Sequence, residues 1–147
     1  MYRPRFSIGQ FNGRFDRAVS DRAMLHLLEV LVAINIDYLR ANPDTPPLYE
    51  TIIYYDRVIP RGQEDDDWAD IPTCILNGYA DCEDAACWRI AELRVRGFQA
   101  EPILIREDFD DGGWLYHIRV KGPNGEEDPS ERIDHKGNFR KGRTRRL

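Results

Sequence analysis

Cys82, His117 and Asp128 are, in chain order, the parts of a thiol nucleophile, the base that takes its proton and the group that orients that base. The cysteine stands in Gly78-Tyr79-Ala80-Asp81-Cys82-Glu83-Asp84-Ala85-Ala86-Cys87-Trp88, where a glycine-containing turn gives way to a helix. Backbone N–H groups at a helix N-terminus favour a thiolate and lower the thiol pKa below its free value of about 8.5. The position predicts a reactive cysteine at 82. His117 falls in an alternating run in which Trp114, Tyr116, Ile118 and Val120 share one face and Leu115, His117, Arg119 and Lys121 the other. The histidine is thus expected on the more polar face, as suits the base of a cleft.

Parity tests Asp128. If Gly122-Pro123-Asn124-Gly125 forms the loop, residue 121 pairs with 126 and residue 119 with 128. Opposed residues share a face, so Asp128 comes to the His117 side one diagonal step away, roughly 7–8 Å at the backbone. A two-residue Asn124-Gly125 turn would instead set Asp128 opposite Lys121, out of reach.

Other readings stand beside this one. Asp134 with His135 is a rival orienter or base pair, and Cys82, Cys87, His117 and His135 are a zinc set without a Cys-x-x-Cys pair. Cys82 also reads as a small buried residue at a helix start, and His117 as an exposed histidine with no role. Cys87 lies about 140° around the helix from Cys82. It and Cys74 read as packing residues.

These groups need elements to hold them. Residues 1–19 read as an N-terminal arm, 20–139 as a single domain and 140–147 as a basic tail. Ser20 is the expected N-cap of a long helix, with Asp21 in its first turn. Met24, Leu25, Leu28, Leu31, Val32 and Leu39 keep a helical rhythm to about Arg40, and His26 falls on the helix surface. Asn42-Pro43 ends it. Thr51-Ile52-Ile53-Tyr54-Tyr55 is β-branched and aromatic and reads as a short strand or an extended segment. A short helix is expected from Ile71 to Asn77 with Pro72 at its first position. The central helix runs from Cys82 to Arg96, enclosed on most sides, with a Glu92–Arg96 pair on its polar stripe and Gly97 closing it. Strands follow at about 99–106, 114–121 and 126–133. Helices first and then an antiparallel meander is an α+β order.

The chain has 147 residues, 41% hydrophobic and 32% charged, with a net charge of −5, which argues against a general nucleic-acid binder. Glu64, Asp65, Asp66, Asp67 and Asp70 form one acidic stretch, and Glu107, Asp108, Asp110 and Asp111 another. The tail carries Arg140, Lys141, Arg143, Arg145 and Arg146 and reads either as solvated or as a dock for an acidic partner. Three cysteines cannot all pair, and no apolar leader or run of about 18 apolar residues is present. Free thiols in a cytoplasmic protein are expected, with no membrane partner.

Residues 68–133 resemble the transglutaminase-like cysteine peptidase superfamily. The resemblance rests on Asp81-Cys82-Glu83-Asp84-Ala85-Ala86, on Leu93-Arg94-Val95-Arg96-Gly97-Phe98-Gln99-Ala100, on Tyr116-His117-Ile118-Arg119-Val120 and on Asp128-Pro129-Ser130. With Trp68 and Ile71-Pro72 upstream, the pattern is closest to the bacterial transglutaminase-like cysteine proteinases, although the interval from His117 to Asp128 is shorter than in many members. The resemblance implies a papain-like, transglutaminase-like core: a central helix carrying the cysteine, packed on an antiparallel meander, with a long N-terminal helix added.

It also implies a chemistry. Cys82 attacks a carbonyl, His117 serves as base and then acid, Asp128 holds the imidazole tautomer, and the Cys82 N–H meets the oxyanion. A second oxyanion donor would come from Tyr55 or Asn77. Calcium, bound in the proteinase branch by carboxylates flanking the cysteine, would fall at Asp81 and Glu83; no other cofactor is implied. The leading expectation is a cysteine hydrolase that cleaves a peptide or amide bond of a protein or peptide substrate through an acyl-enzyme. Acyl transfer to an amine, as in protein crosslinking, is the close variant. A non-catalytic binding or assembly module that keeps the fold is the rival. A stand-alone domain of this kind suits a bacterium or a bacteriophage, in the latter case as a virion or host-delivered protein.

Overall fold

A computed structural model describes residues 17–51, 53–55 and 68–135. The elements are α1 (Arg17–Ala41), a 3-10 turn (Leu48–Glu50), β1 (Tyr54–Tyr55), α2 (Ile71–Asn77), β2 (Tyr79–Ala80), α3 (Cys82–Val95), β3 (Glu101–Asp108), β4 (Trp114–Gly122), β5 (Gly125–Glu127) and α4 (Pro129–His135). Strands β3, β4 and β5 form an antiparallel sheet in that order, while β1 and β2 make a separate parallel pair. The architecture is α+β, as the order of elements predicts.

Helix α3 is the axle. Ala86, Cys87, Ile90 and Leu93 pack with Leu28, Leu31 and Val32 of α1 and with Ile118 and Val120 of β4. Its other side, Ala85, Trp88 and Ala91, packs with Leu39, Leu48, Ile71, Cys74 and Ile133. A helix walled by apolar partners on two sides has no broad polar face, which is why its hydrophobic pattern runs nearly all the way round. Phe98 N–H and Gly97 N–H close it on the Leu93 and Arg94 carbonyls, with Gly97 at φ 86°.

Three polar side chains inside this core tie distant backbone to the helices. Asn35 of α1, fully buried, accepts from Ile71 N–H at 3.0 Å; Asp84 accepts from Ala69 N–H at 2.7 Å; Glu92 accepts from Leu48 N–H at 2.5 Å. Each satisfies an N–H of irregular chain that would otherwise be orphaned.

Several expectations are corrected. Helix α1 is already formed at Arg17, so Ser20 is not its N-cap. It lies within the helix, buried, and its Oγ accepts from the Tyr116 hydroxyl at 2.6 Å. Of the short strand or extended segment expected over 51–55, Tyr54–Tyr55 is strand among the described residues. Pro72 is the second helical residue, because Asp70 is the cap and Ile71 the first. Glu92 turns to Arg89, at 3.3 Å, and to Leu48 rather than to Arg96, whose guanidinium lies over the Phe98 ring. The strand expected over 126–133 ends at Glu127, and Pro129–His135 is helical. Pro129 cannot donate to a ladder but suits the first turn of a helix. Residues 1–16, 56–67 and 136–147, which hold most of the arm, the first acidic stretch and the basic tail, lie outside the described residues.

Candidate active site

Twelve residues deliver Cys82. Asp70 caps α2 by accepting from Thr73 N–H at 3.1 Å, and Gly78 ends it at φ 75°, where a residue with a Cβ would be strained. Tyr79 and Ala80 then pair in parallel with Tyr54 and Tyr55. Asp81 opens α3 with a capping box: its carboxylate accepts from Asp84 N–H at 3.1 Å, and the Asp84 carboxylate accepts from Asp81 N–H at 3.3 Å. Cys82 is therefore the first residue of α3. Its N–H has no acceptor within the helix, as at any helix start.

His117 is delivered by β4. Its Cα partner on β3 is Ile105, while Ile118 and Val120 point into the core. On the other side, Lys121 pairs with Glu126 and Val120 with Glu127, the register that parity predicts for a Gly122-to-Gly125 loop. One residue later the chain leaves the sheet. Asp128 caps α4: its Oδ1 accepts from Glu131 N–H at 3.2 Å and from the Ser130 hydroxyl at 2.7 Å. Its Oδ2 lies 2.6 Å from His117 Nε2.

The electrostatics of this pair follow from those bonds. Burial pushes the Asp128 carboxyl up, but the hydrogen bonds from His117, Ser130 and Glu131 outweigh it and hold the pKa at about 2. Asp128 is thus an ionised acceptor at neutral pH. It fixes the proton of the neutral ring on Nε2, leaving Nδ1 with a lone pair. The His117 side chain is 30% exposed.

Cys82 meets the same strand. Cys82 packs in the same core cluster as Ile118, the residue after His117. The thiol is 9% exposed and donates to Glu83 Oε2 at 2.9 Å. The surroundings of the thiol oppose the thiolate that a helix start favours. Burial first, and then the neighbouring Glu83 carboxyl, push the Cys82 thiol well above its ordinary range. Burial and the Asp81 carboxylate in turn push Glu83 up to about 8.

The remaining candidates separate from this centre. Asn77 is exposed at the end of α2. Tyr55 lies on β1 with its backbone beside Ala80, and its side chain is outside the described residues. Asp134 and His135 are in α4, their side chains likewise undescribed. Cys87 is fully buried with its sulfur 3.6 Å from the Leu28 carbonyl, and Cys74 is buried with its sulfur 3.6 Å from the Ala69 carbonyl. Both are packing residues. Among the described residues no group of three or more His, Cys, Asp or Glu side chains is arranged to hold a metal ion. Asp81 caps α3 through Asp84 N–H, and Glu83 accepts from the Cys82 thiol.

Sequence reasoning missed Asp84, Asn35 and Ser130. Asp84 had a readable signal, the Asp81-x-x-Asp84 capping spacing; Asn35 had none, because its partner lies 36 residues away. Comparison of the chain with protein-family models, curated proteins and solved structures finds no match in any of the three. Among the described residues no helix is long and apolar enough to cross a membrane.

Proposed function

We propose that this protein is a cysteine hydrolase of the transglutaminase-like type, cleaving a peptide or amide bond through an acyl-enzyme on Cys82. The observation that carries the reading is the His117 Nε2–Asp128 Oδ2 bond at 2.6 Å, next along β4 to Ile118, which packs in the same core cluster as Cys82. An ionised, doubly supported carboxylate on one ring nitrogen makes the other a base for a nearby thiol.

In this reading the thiol leaves Glu83 and gives its proton to His117 Nδ1. The sulfur attacks the substrate carbonyl, a C–S bond forms, and the oxyanion is met by the Cys82 N–H. Collapse breaks the C–N bond, and the imidazolium returns the proton to the departing amine. Water, deprotonated by His117, then releases the acid and restores the thiol. An amine in place of water gives acyl transfer. Tyr55 is the better candidate for a second oxyanion donor, since β1 runs beside β2 just before Cys82.

The Cys82–Glu83 bond favours a second reading, a binding or assembly module in which the thiol is a packing group. Iodoacetamide separates the two. As an enzyme, the protein labels at Cys82 at pH 7.5 at least about tenfold faster than at Cys74 or Cys87, and His117→Ala lowers that rate about tenfold or more. A Cys82 rate that ignores His117 would leave the module.

A further inference from the structure

We infer that the outer face of the sheet is the substrate-recognition surface of this site, selecting a peptide with an apolar residue beside the cleaved bond and a basic residue beyond it. The inference rests on the hydrolase reading above. Strand register makes a tile of six residues on this face: Ile103 opposite Arg119, Ile105 opposite His117, and Glu107 opposite Leu115. The inner face of the same strands is already occupied, with Ile118 and Val120 buried and Leu104 and Tyr116 packed against the core.

An open sheet face ordinarily carries polar side chains. This one carries Ile105 at 41% exposure and Leu115 at 58%, with Ile103 partly buried between Ile105 and the strand end. Both exposed aliphatic residues touch the position of His117, one directly across the ladder and one two residues along it. Cross-strand neighbours lie about 4.5–5.5 Å apart and residues two apart on a strand about 6.6 Å, so a substrate reaching His117 must cover them. The charge on the face gives a direction. Arg119 at one end is paired with Glu126 at 3.2 Å. At the other end Glu107 is exposed and continues into Asp110 and Asp111, exposed acids of the β3–β4 loop. An extended peptide with an apolar residue on Ile105 and Leu115 therefore meets acidic groups about two residues later, which suits Lys or Arg.

Peptidyl vinyl sulfones test this on the full chain; in them the Cys82 sulfur adds to the alkene and the thiol proton ends on the adjacent carbon. Four probes combine Leu or Asp at the residue next to the warhead with Lys or Glu two positions away, and iodoacetamide, which has no side chain, reports the thiol alone. The expected result is labelling by the Leu–Lys probe about tenfold faster than by the Asp–Lys probe. Ile105→Thr with Leu115→Thr brings that ratio to about one at an unchanged iodoacetamide rate. Glu107→Lys reverses the preference between Lys and Glu. Equal rates for all four probes, with iodoacetamide labelling still dependent on His117, would overturn the recognition surface and leave the hydrolase standing. Iodoacetamide labelling indifferent to His117 would overturn both. A preference that appears only after residues 140–147 are deleted would place the chain's own basic tail on this face and overturn the substrate assignment.

Discussion

Asp128 divides its two oxygens between two tasks: Oδ2 holds the His117 ring, and Oδ1 starts α4 through Glu131 N–H and takes the Ser130 hydroxyl. Glu83 is its opposite, a carboxyl with too few donors for its burial, and it gives a prediction in pH. Its pKa rises from an ordinary 4.5 to about 8 on folding. A carboxyl whose folded pKa is raised binds more protons in the native state, so its ionisation subtracts stability as pH climbs from about 4.5 to about 8. Glu83→Gln removes that titration. The melting temperature of the variant will fall less than that of the parent between pH 5 and 8.5, and above pH 8 the variant will be the more stable. Parallel melting curves across that range would contradict the assignment. The same substitution removes a raising influence on the Cys82 thiol, so iodoacetamide labelling at pH 7.5 rises in the variant.

At the scale of elements, Gly97 isolates one backbone requirement. It closes α3 at φ 86°, and a Cβ there would meet nothing within 4 Å. Gly97→Ala therefore costs only the left-handed conformation, about 1 kcal/mol, and lowers the melting temperature by a few degrees. The Cys82 labelling rate stays as it was, since the far end of the helix is untouched. The elements differ in how plainly the sequence announces them. Helices α1, α2 and α3 are legible from local signals: the apolar rhythm and Asn42-Pro43 stop of α1, Pro72 in α2 and Gly97 after α3. The caps at Asp70 and Asp81 go unread. The β4–β5 register is legible because one loop sets it. Helix α4 is hidden because Glu126 and Glu127 continue a strand-like alternation past Gly125, while its start signal is an Asp–Pro pair that also fits the end of a strand. The β1–β2 pair is hidden because two residues of parallel ladder depend on chain 24 positions apart, counting from Tyr55 to Tyr79. At the site, the histidine–aspartate partnership follows from parity, whereas the restraint of Glu83 on the thiol arises only when both are buried together.

At the scale of the molecule, an ion network ties the helical core to the strand that ends at Glu127. Arg89 on α3 donates to Glu127 at 2.7 Å and to Glu92 at 3.3 Å, and Arg132 on α4 approaches Glu127 at 3.8 Å. The guanidinium carbons of Arg89 and Arg132 lie 4.9 Å and 3.9 Å from the centre of the Tyr49 ring. Arg89 and Glu127 are mostly buried, so removing either partner leaves a charge with reduced solvation. Arg89→Met and Glu127→Gln singly are expected to cost about 1–3 kcal/mol each in urea unfolding, with the double variant costing clearly less than their sum. Additive losses would mean that the pair does not act as a unit.

The junction at Asp128 also sets an order of events during synthesis. Cys82 is made 46 residues before Asp128, counting from position 82 to position 128. At ribosomal speeds of about 5–20 residues per second that is a lag of roughly 2–9 s. For the first 35 residues of that interval the nascent chain carries the cysteine without its histidine, counting from position 82 to 117, and for the rest the histidine lacks the carboxylate that also begins the last described helix. In the proposed hydrolase the site is thus incomplete on the growing chain until Asp128 has been made.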